Sequence, residues 1–562
     1  MPLPLVTRPG RDLGLGPVGP VEVECEDGTL RQVDGTLPDD FPLGYHRLRT
    51  LDGDERRLIV SPGRCWLPDG LREWGWAVQA YALRSAGSWG IGDLADLRAV
   101  REWAQSVGAG FLLVNPLHAA APTLPQQDSP YLPVTRRFLN PIYLRVDEVP
   151  GAERVNLAPD EVRGRALDVA DGIDRDAVWQ LKRAALRAVF DAGMSDEAER
   201  WCLGCGEALQ GFATWCAVAG VYGPDWRDWP DDLHRPDSAG VARFVVKHTH
   251  EVRFHGWLQW ALDAQLRRAI GEMTVLQDLP VGVDGGGADA WLWQDVLADG
   301  VLIGAPPDAF NAGGQVWGSP PLDPSRLQQA GYEPFVQSVR ATIGGSGGIR
   351  IDHVMGLFRL WWVPDGEPPA NGAYVRYPSD DLLDIVALES HRARAIVVGE
   401  DLGTVGAGVR AELADRQVLS YKLLWFEDND PASWPELSLA AVTTHDLPTV
   451  AGVWTRADPV DEFRDRLIDD TGLDHAASVE EAVRAAHELV ARAPSMLLSA
   501  TLEDAVGAPL RPNVPGTIDP ANWRRRLPVA VEDLPTQPGA LAIASLLGAA
   551  VRNQVRRRRP AR

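Results

Sequence analysis

From residue 77 onward the chain repeats one local pattern, in which a short apolar run rich in β-forming residues is followed by a helical stretch. This alternation is typical of parallel strands joined by helices, and eight such strands can close a barrel. Candidate strands cover residues 77–83, 110–115, 274–279, 348–352, 395–400, 421–426, 440–444 and, with a weaker pattern, 502–506. The sequence therefore predicts an α/β protein built on a (β/α)8 barrel of the TIM type.

Two regions do not follow this alternation. Residues 1–72 contain short β segments separated by Gly, Asp and Pro, which predicts a small β-rich N-terminal domain. Residues 150–268 carry the apolar period of helices, and a segment of this length inside a compact domain is too long to be one loop. We expect it to form a helical subdomain over the mouth of the barrel, so that residues 73–562 make up the barrel domain with its insert.

Charge and cysteine content restrict the partners and the compartment. The 562-residue chain has a net charge of −23 at pH 7, which repels nucleic acids and anionic membranes. It contains no run of about 18 apolar residues, so the sequence predicts no membrane-spanning segment. The five cysteines are an odd set and the N-terminus lacks the apolar core of a signal peptide, which together predict a reducing cytoplasm.

Acidic residues follow three of the candidate strands. Asp352 ends "IRID", Glu400 follows "IVVG", and Asp446 ends "AVTTHD". In a parallel barrel the carboxyl ends of the strands surround the functional site, so three carboxylates there can converge on one substrate atom. Each aspartate alone could instead cap the helix that follows it, whereas Glu400 is a poor cap. Their joint occurrence at equivalent places favours catalysis.

Three such carboxylates are typical of retaining glycoside chemistry, which needs an ionised nucleophile and a protonated acid. Arg350 lies two residues before Asp352, on the same face of the strand, and would keep that carboxylate ionised for nucleophilic attack. The apolar run before Glu400 would raise its pKa and suit it to acid and base catalysis. Asp446, beside His445, would bind the sugar hydroxyls as positive charge develops on the sugar.

The stretches around these acids resemble the amylomaltases, or 4-α-glucanotransferases, a branch of the α-amylase superfamily. The resemblance lies in "IRIDHVMG", "VVGEDLGTV" and "TTHDLPTVAGVW", and outside the acids in "DSPYLPVTRRFLNPIYL", "GAPPDAFNAGGQVWGSP" and "RPNVPGTIDPANWRRR". It extends from Trp74 onward. The "GAPPD" and "RPNVPGT" stretches are more specific to amylomaltases than the acids, which the wider superfamily shares.

The resemblance implies that Asp352 is the nucleophile, Glu400 the acid and base, and Asp446 the stabiliser of the transition state in a catalytic (β/α)8 barrel. It implies a covalent glucosyl-Asp352 intermediate and no metal or organic cofactor. The implied partners are maltooligosaccharides and starch-like α-glucans. The resemblance implies that Tyr131 stacks on the sugar at the cleavage site, and that the donor and acceptor subsites are lined by Asp278, Gln315, Trp317, His445 and Asn513. Arg350 and His353, on either side of Asp352, are further candidates for substrate binding.

The carboxylates alone leave the second half of the reaction open. Either water or a sugar hydroxyl could resolve the covalent intermediate, so an α-1,4-glucan hydrolase is an alternative. A nucleophile held in place reaches an effective concentration of ~10⁵ M or more, which outcompetes water at about 55 M. A glucan-binding protein on an inactive barrel is a second alternative, which the presence of all three acids disfavours. The resemblance favours transfer of a glucan segment to the 4-hydroxyl of another glucan or of glucose.

Overall fold

The structure is a computed structural model that describes residues 2–15, 20–51, 53–168, 172–307, 312–403, 405–517 and 519–558, with side chains to residue 553. The N-terminal segment forms one sheet in the order β1–β5–β4–β2–β3, in which β1 and β5 are parallel and the other neighbours antiparallel. Its strands are β1 (Leu5–Thr7), β2 (Val21–Glu24), β3 (Leu30–Val33), β4 (Gly44–Arg49) and β5 (Glu55–Val60). Alternate residues of β2 and β4 are buried, as in a sheet with one face on a core.

Eight parallel strands close a barrel, which confirms the predicted fold class. The strands after the N-terminal sheet are β6 (Glu73–Val78), β7 (Phe111–Val114), β8 (Thr274–Leu279), β9 (Val301–Ala305), β10 (Gln315–Val316), β11 (Gly347–Ile351), β12 (Arg359–Pro364), β13 (Ala373–Arg376), β14 (Ile396–Gly399), β15 (Leu419–Leu423), β16 (Ser438–Ala441) and β17 (Leu497–Thr501). The barrel order is β6–β7–β8–β11–β14–β15–β16–β17, and β10–β9–β12–β13 form a separate antiparallel sheet.

Two of the predicted barrel strands are wrong in position. Residues 77–83 were expected to be a strand, but β6 ends at Val78 and Ala80–Ala82 form a 3-10 turn. The sequence predicts the last strand at residues 502–506, but a helix begins there, capped by the Thr501 side chain, which accepts the N–H of Asp504 in its first turn. The strand itself lies one segment earlier, at β17. The other six candidate strands overlap the observed ones.

Helices connect the barrel strands, and six of them occupy the segment predicted as a helical insert. The helices are α1 (Leu94–Ser106), α2 (Ala158–Leu167), α3 (Arg175–Asp191), α4 (Asp196–Gly204), α5 (Gly206–Tyr222), α6 (Ala239–Lys247), α7 (Thr249–Ile270), α8 (Ala288–Leu292), α9 (Pro324–Gln329), α10 (Glu333–Ile343), α11 (Ser379–Ala393), α12 (Val409–Asp415), α13 (Val450–Thr455), α14 (Asp461–Thr471), α15 (Val479–Val490), α16 (Leu502–Ala505) and α17 (Pro538–Arg558). Within the described ranges, none of these helices has the length and apolarity that crossing a bilayer requires.

The chain divides into two compact units. One comprises residues 1–69, 279–282 and 293–420, and the other comprises residues 70–278, 283–292 and 421–562. In the first unit the N-terminal sheet packs on α11, where the Tyr45 hydroxyl donates to Glu389 at 2.6 Å and Arg8 pairs with Asp384 at 3.1 Å. We propose that the boundary between the N-terminal β domain and the barrel domain lies between residues 72 and 73.

Candidate active site

Two of the strand-end acids follow neighbouring strands in register. In the β11–β14 pair Ile351 lies opposite Gly399, so Asp352 and Glu400 come directly after matched residues. The ladder continues beyond the strands, since the Glu400 N–H donates to the Ile351 carbonyl at 3.0 Å. Gly399 allows close packing at this point, because a Cβ there would lie only 3.0 Å from the Val354 side chain, which would have to shift. The two carboxylates therefore leave the sheet at the same edge of the same unit.

Arg350 pairs with Asp352, as the two-residue spacing predicts. Its Nη1 lies 3.0 Å from Oδ1 of Asp352, and the two side chains are 6% and 22% exposed. A guanidinium at this distance and burial stabilises negative charge on the carboxylate and holds its orientation. The partly open carboxylate can therefore act as a nucleophile.

Glu400 is held by two main-chain donors. The His353 N–H donates to Oε2 at 2.9 Å and the Leu402 N–H to Oε1 at 2.7 Å. The pKa of Glu400 is raised to about 7, chiefly by burial; Arg350 and the two N–H donors lower it, and the nearby Asp352 charge raises it. A carboxyl with a pKa near neutrality can both donate and accept a proton at physiological pH.

His353, Gln315 and Trp317 form one contiguous group beside these acids. The ring of Trp317 meets the ring of His353 edge-on, with centroids 5.3 Å apart, and its Nε1 donates to Oε1 of Gln315 at 3.0 Å. Burial and Arg359 lower the pKa of His353 to about 4, so this imidazole is neutral near pH 7. Residues 308–311, 404 and 518, which belong to stretches quoted above, lie outside the described residues.

Tyr131 is the centre of a second group, in the other compact unit. Its hydroxyl donates to Oδ2 of Asp278, at the end of β8, at 2.6 Å and lies 3.3 Å from Nδ1 of His445. The Tyr131 and His445 rings are stacked, with centroids 4.8 Å apart. Tyr131 thus directly contacts two other residues that are predicted to bind substrate.

Asp446 belongs to this second group as well. Oδ1 accepts a hydrogen bond from the Asn513 amide nitrogen at 2.6 Å, and Oδ2 lies 3.4 Å from Nε2 of His445. The Asp446 side chain is 42% exposed, so its carboxylate is open to a ligand. Asn513, predicted to line a sugar subsite, therefore contacts the carboxylate of Asp446 directly.

Trp523 joins the same group, although the sequence reasoning did not assign it a role. Its ring centroid lies 5.3 Å from that of Tyr131 and 5.4 Å from that of His445, and the residue is 7% exposed. Its backbone has a φ of +64°, which is rare for a bulky side chain. The sequence feature that could have indicated Trp523 as a site residue is its place in "RPNVPGTIDPANW", the stretch that also contains Asn513.

The predicted site residues thus fall into two groups, each contiguous within its own unit. The first contains Arg350, Asp352, His353, Glu400, Gln315 and Trp317, and the second contains Tyr131, Asp278, His445, Asp446 and Asn513.

Comparison with known proteins gives consistent matches. The profile of a family described as 4-alpha-glucanotransferase matches residues 78–531. A 4-alpha-glucanotransferase from Mycobacterium tuberculosis is 43% identical over 629 aligned positions, which cover 94% of this chain and 86% of that protein. One from Haemophilus influenzae is 33% identical over 460 positions, which cover 74% of this chain and 66% of that protein. The crystal structure of amylomaltase from Corynebacterium glutamicum aligns with a TM-score of 0.85 at 33% identity, covering 97% of this chain and 90% of that one.

Proposed function

Because this chain belongs to the 4-alpha-glucanotransferase family and is therefore an enzyme of glucan transfer, we propose that it acts by a retaining double displacement on three carboxylates. The donor is a maltooligosaccharide or a starch-like α-1,4-glucan, and the acceptor is the 4-hydroxyl of another glucan or of glucose. Asp352 is the nucleophile, Glu400 the acid and base, and Asp446 the stabiliser of the transition state. The mechanism uses no metal or organic cofactor.

In the first step Asp352 attacks the anomeric carbon while Glu400 gives its proton to the leaving glycosidic oxygen. A bond forms between the Asp352 carboxylate and the sugar, and the shortened glucan leaves with the proton. The Arg350 guanidinium at 3.0 Å from Asp352 supports the nucleophilic role. The pKa of about 7 that burial produces at Glu400 supports the acid role.

In the second step the ionised Glu400 removes the proton from the acceptor 4-hydroxyl. The acceptor oxygen then attacks the anomeric carbon, the bond to Asp352 breaks, and the configuration at that carbon is retained. The N–H groups of His353 and Leu402 support this double role, because they fix both oxygens of Glu400 from the main chain.

The remaining residues bind and orient the sugars in this proposal. Asp446 accepts hydroxyl groups of the sugar at the cleavage point as positive charge develops on it. Tyr131 presents its ring to the same sugar, a role that the stacked ring of His445 and the hydrogen bond to Asp278 support. The further residues that line the donor and acceptor subsites are His353, Gln315, Trp317 and Asn513.

The observation that carries the proposal is the pair of in-register strand ends, with Arg350 on Asp352 and two N–H donors on Glu400. Incubation with pure maltotriose tests it. We expect a ladder of longer and shorter maltooligosaccharides together with glucose, and no net gain of reducing ends. Rising reducing ends with only shorter products would instead support the hydrolase, and no change at all would support a non-catalytic glucan-binding protein.

A cytoplasmic location is also part of the proposal. The odd number of cysteines, five in all, supports a reducing compartment. The strongly negative net charge disfavours nucleic acid and anionic membrane surfaces as partners.

A further inference from the structure

We propose that Arg511 is a positioning residue for Asp446, with Asp458 as its anchor; this inference rests on the role proposed above for Asp446. The Nε and Nη2 atoms of Arg511 donate to the two carboxylate oxygens of Asp458, both at 2.7 Å. Its Nη1 donates to the main-chain carbonyl of Asp446 at 2.9 Å. The Arg511 and Asp458 side chains are 14% and 15% exposed.

The shape of the guanidinium makes this contact directional. Two parallel hydrogen bonds to Asp458 fix the plane of the Arg511 group, and its third nitrogen then points in one fixed direction. That direction leads to the carbonyl of Asp446. A lysine offers a single ammonium group and cannot satisfy both partners with the same geometry.

The backbone of the anchor, Asp458, is held by a hydrogen bond to α13. The Asp458 N–H donates to the Gly452 carbonyl at 3.1 Å, in α13. Thr449 caps this helix by accepting from the Gly452 N–H at 2.9 Å, and its hydroxyl donates to the Ala508 carbonyl at 2.7 Å. A Cβ at Gly452 would lie 2.4 Å from the Pro509 carbonyl, so the helix and the segment before Arg511 are closely packed.

Asn513, two residues after Arg511, also holds His445 and Asp446 in place. The Asn513 N–H donates to the His445 carbonyl at 3.0 Å, while its side chain donates to the Asp446 carboxylate at 2.6 Å. Arg511 supplies the contact to the Asp446 carbonyl. Without it the peptide after Asp446 loses its fixed orientation, and a shift of about 1 Å at a catalytic group can lower the rate about 10²-fold.

The test uses Arg511→Lys and Arg511→Ala, with Arg98→Lys as the matched control. Arg98 makes a comparable two-point ion pair with Glu148, at 2.8 and 2.7 Å, on α1. We expect Arg511→Lys to lower kcat for maltotriose about 10- to 100-fold with KM changed less than about threefold, whereas Arg98→Lys keeps the parental kcat. We expect millimolar guanidinium to restore part of the kcat of Arg511→Ala, and the two lysine variants to unfold at similar temperatures.

Three outcomes would overturn the inference. The first is a kcat of Arg511→Lys equal to that of Arg98→Lys. The second is a loss that lies in KM alone. The third is a loss that follows the amount of folded protein and that guanidinium does not restore. Asp446→Asn, measured in the same series, distinguishes failure of the positioning role from failure of the proposed function. Parental activity in Asp446→Asn contradicts the proposed function. An inactive Asp446→Asn beside a fully active Arg511→Lys contradicts only the positioning role of Arg511.

Discussion

The main-chain nitrogen of His353 donates to Oε2 of Glu400 at 2.9 Å, so one peptide group links the turn after β11 to the carboxylate after β14. His353 adopts a left-handed backbone conformation with a φ of +46°, which turns its N–H toward Glu400. Asp352 is the residue directly before this turn. The nucleophile and the acid proposed here are therefore fixed relative to each other by the main chain, and this fixed relation is what a two-carboxylate mechanism requires.

Glu400→Gln should remove proton transfer while keeping the shape of the side chain. We expect kcat for maltotriose to fall about 10²- to 10⁴-fold, the range that general acid and base catalysis contributes. Glu412→Gln, on α12, is the control and should keep the parental rate. Product ladders resolved by size over time measure both variants, and parental activity in Glu400→Gln would refute the catalytic assignment.

Arg350→Met should change the pH profile as well as the rate. The Arg350 charge lowers the pKa of Glu400, so its removal raises that pKa above about 7. Since Glu400 must be protonated in the first step, the alkaline limb of kcat/KM should move to higher pH, together with a loss of rate. Arg410→Met, which removes a guanidinium that contacts Asp401 instead, is the control. If the alkaline limb of kcat/KM in Arg350→Met stays at the parental pH, Arg350 does not lower the pKa of Glu400.

Local sequence rules predict one part of the site well. The spacing of Arg350 and Asp352 places both on one face of a strand, and the structure has them 3.0 Å apart. The apolar run before Glu400 predicts burial, and burial raises its pKa. The two N–H donors to Glu400, from His353 and Leu402, could not be foreseen, because they depend on the main-chain path after each strand and not on side chains.

Contacts between residues that are far apart in the sequence cannot be predicted from local sequence patterns. Tyr131 and Asp278 are 147 positions apart, and only the family resemblance linked them before the structure placed their side chains 2.6 Å apart. Trp523 was missed because its left-handed backbone directs the ring in a way that no periodic pattern indicates. The last barrel strand was misplaced by one segment, because residues 502–506 directly follow β17 and the cap by Thr501 begins a helix there.

Trp523→Phe should weaken catalysis more than stability, because its ring supports both Tyr131 and His445. A smaller ring leaves a gap next to the two side chains, so we expect kcat/KM for maltotriose to fall about 10-fold or more. Trp454→Phe is the matched control, since Trp454 is also 7% exposed and its Nε1 donates to the Ala477 carbonyl. Steady-state rates and thermal midpoints of the two variants measure the difference. Equal losses of kcat/KM would mean that Trp523 only fills the core.

Asp504→Asn should make the protein more stable at alkaline pH relative to the parent. Asp504 is 1% exposed, and burial raises its pKa to about 7, although the Val450 N–H donates to its Oδ1 at 2.8 Å. Because the folded pKa lies above the unfolded value of about 3.9, the contribution of this carboxyl to stability is fully present below about pH 4 and is lost as the pH rises through about 7.

Asparagine at position 504 has no proton to lose. The free energy of unfolding of the variant minus that of the parent should therefore increase by roughly 1 to 4 kcal/mol when the pH is raised from 5 to 8.5. Glu503, whose pKa burial also raises to about 7, remains in the variant, so the pH dependence should shrink without disappearing. Denaturant unfolding at the two pH values measures the gain, with Asp533→Asn, which changes an exposed aspartate, as the control. A difference between variant and parent that is the same at both pH values would mean that Asp504 is already ionised in the folded protein at pH 5, which its burial argues against.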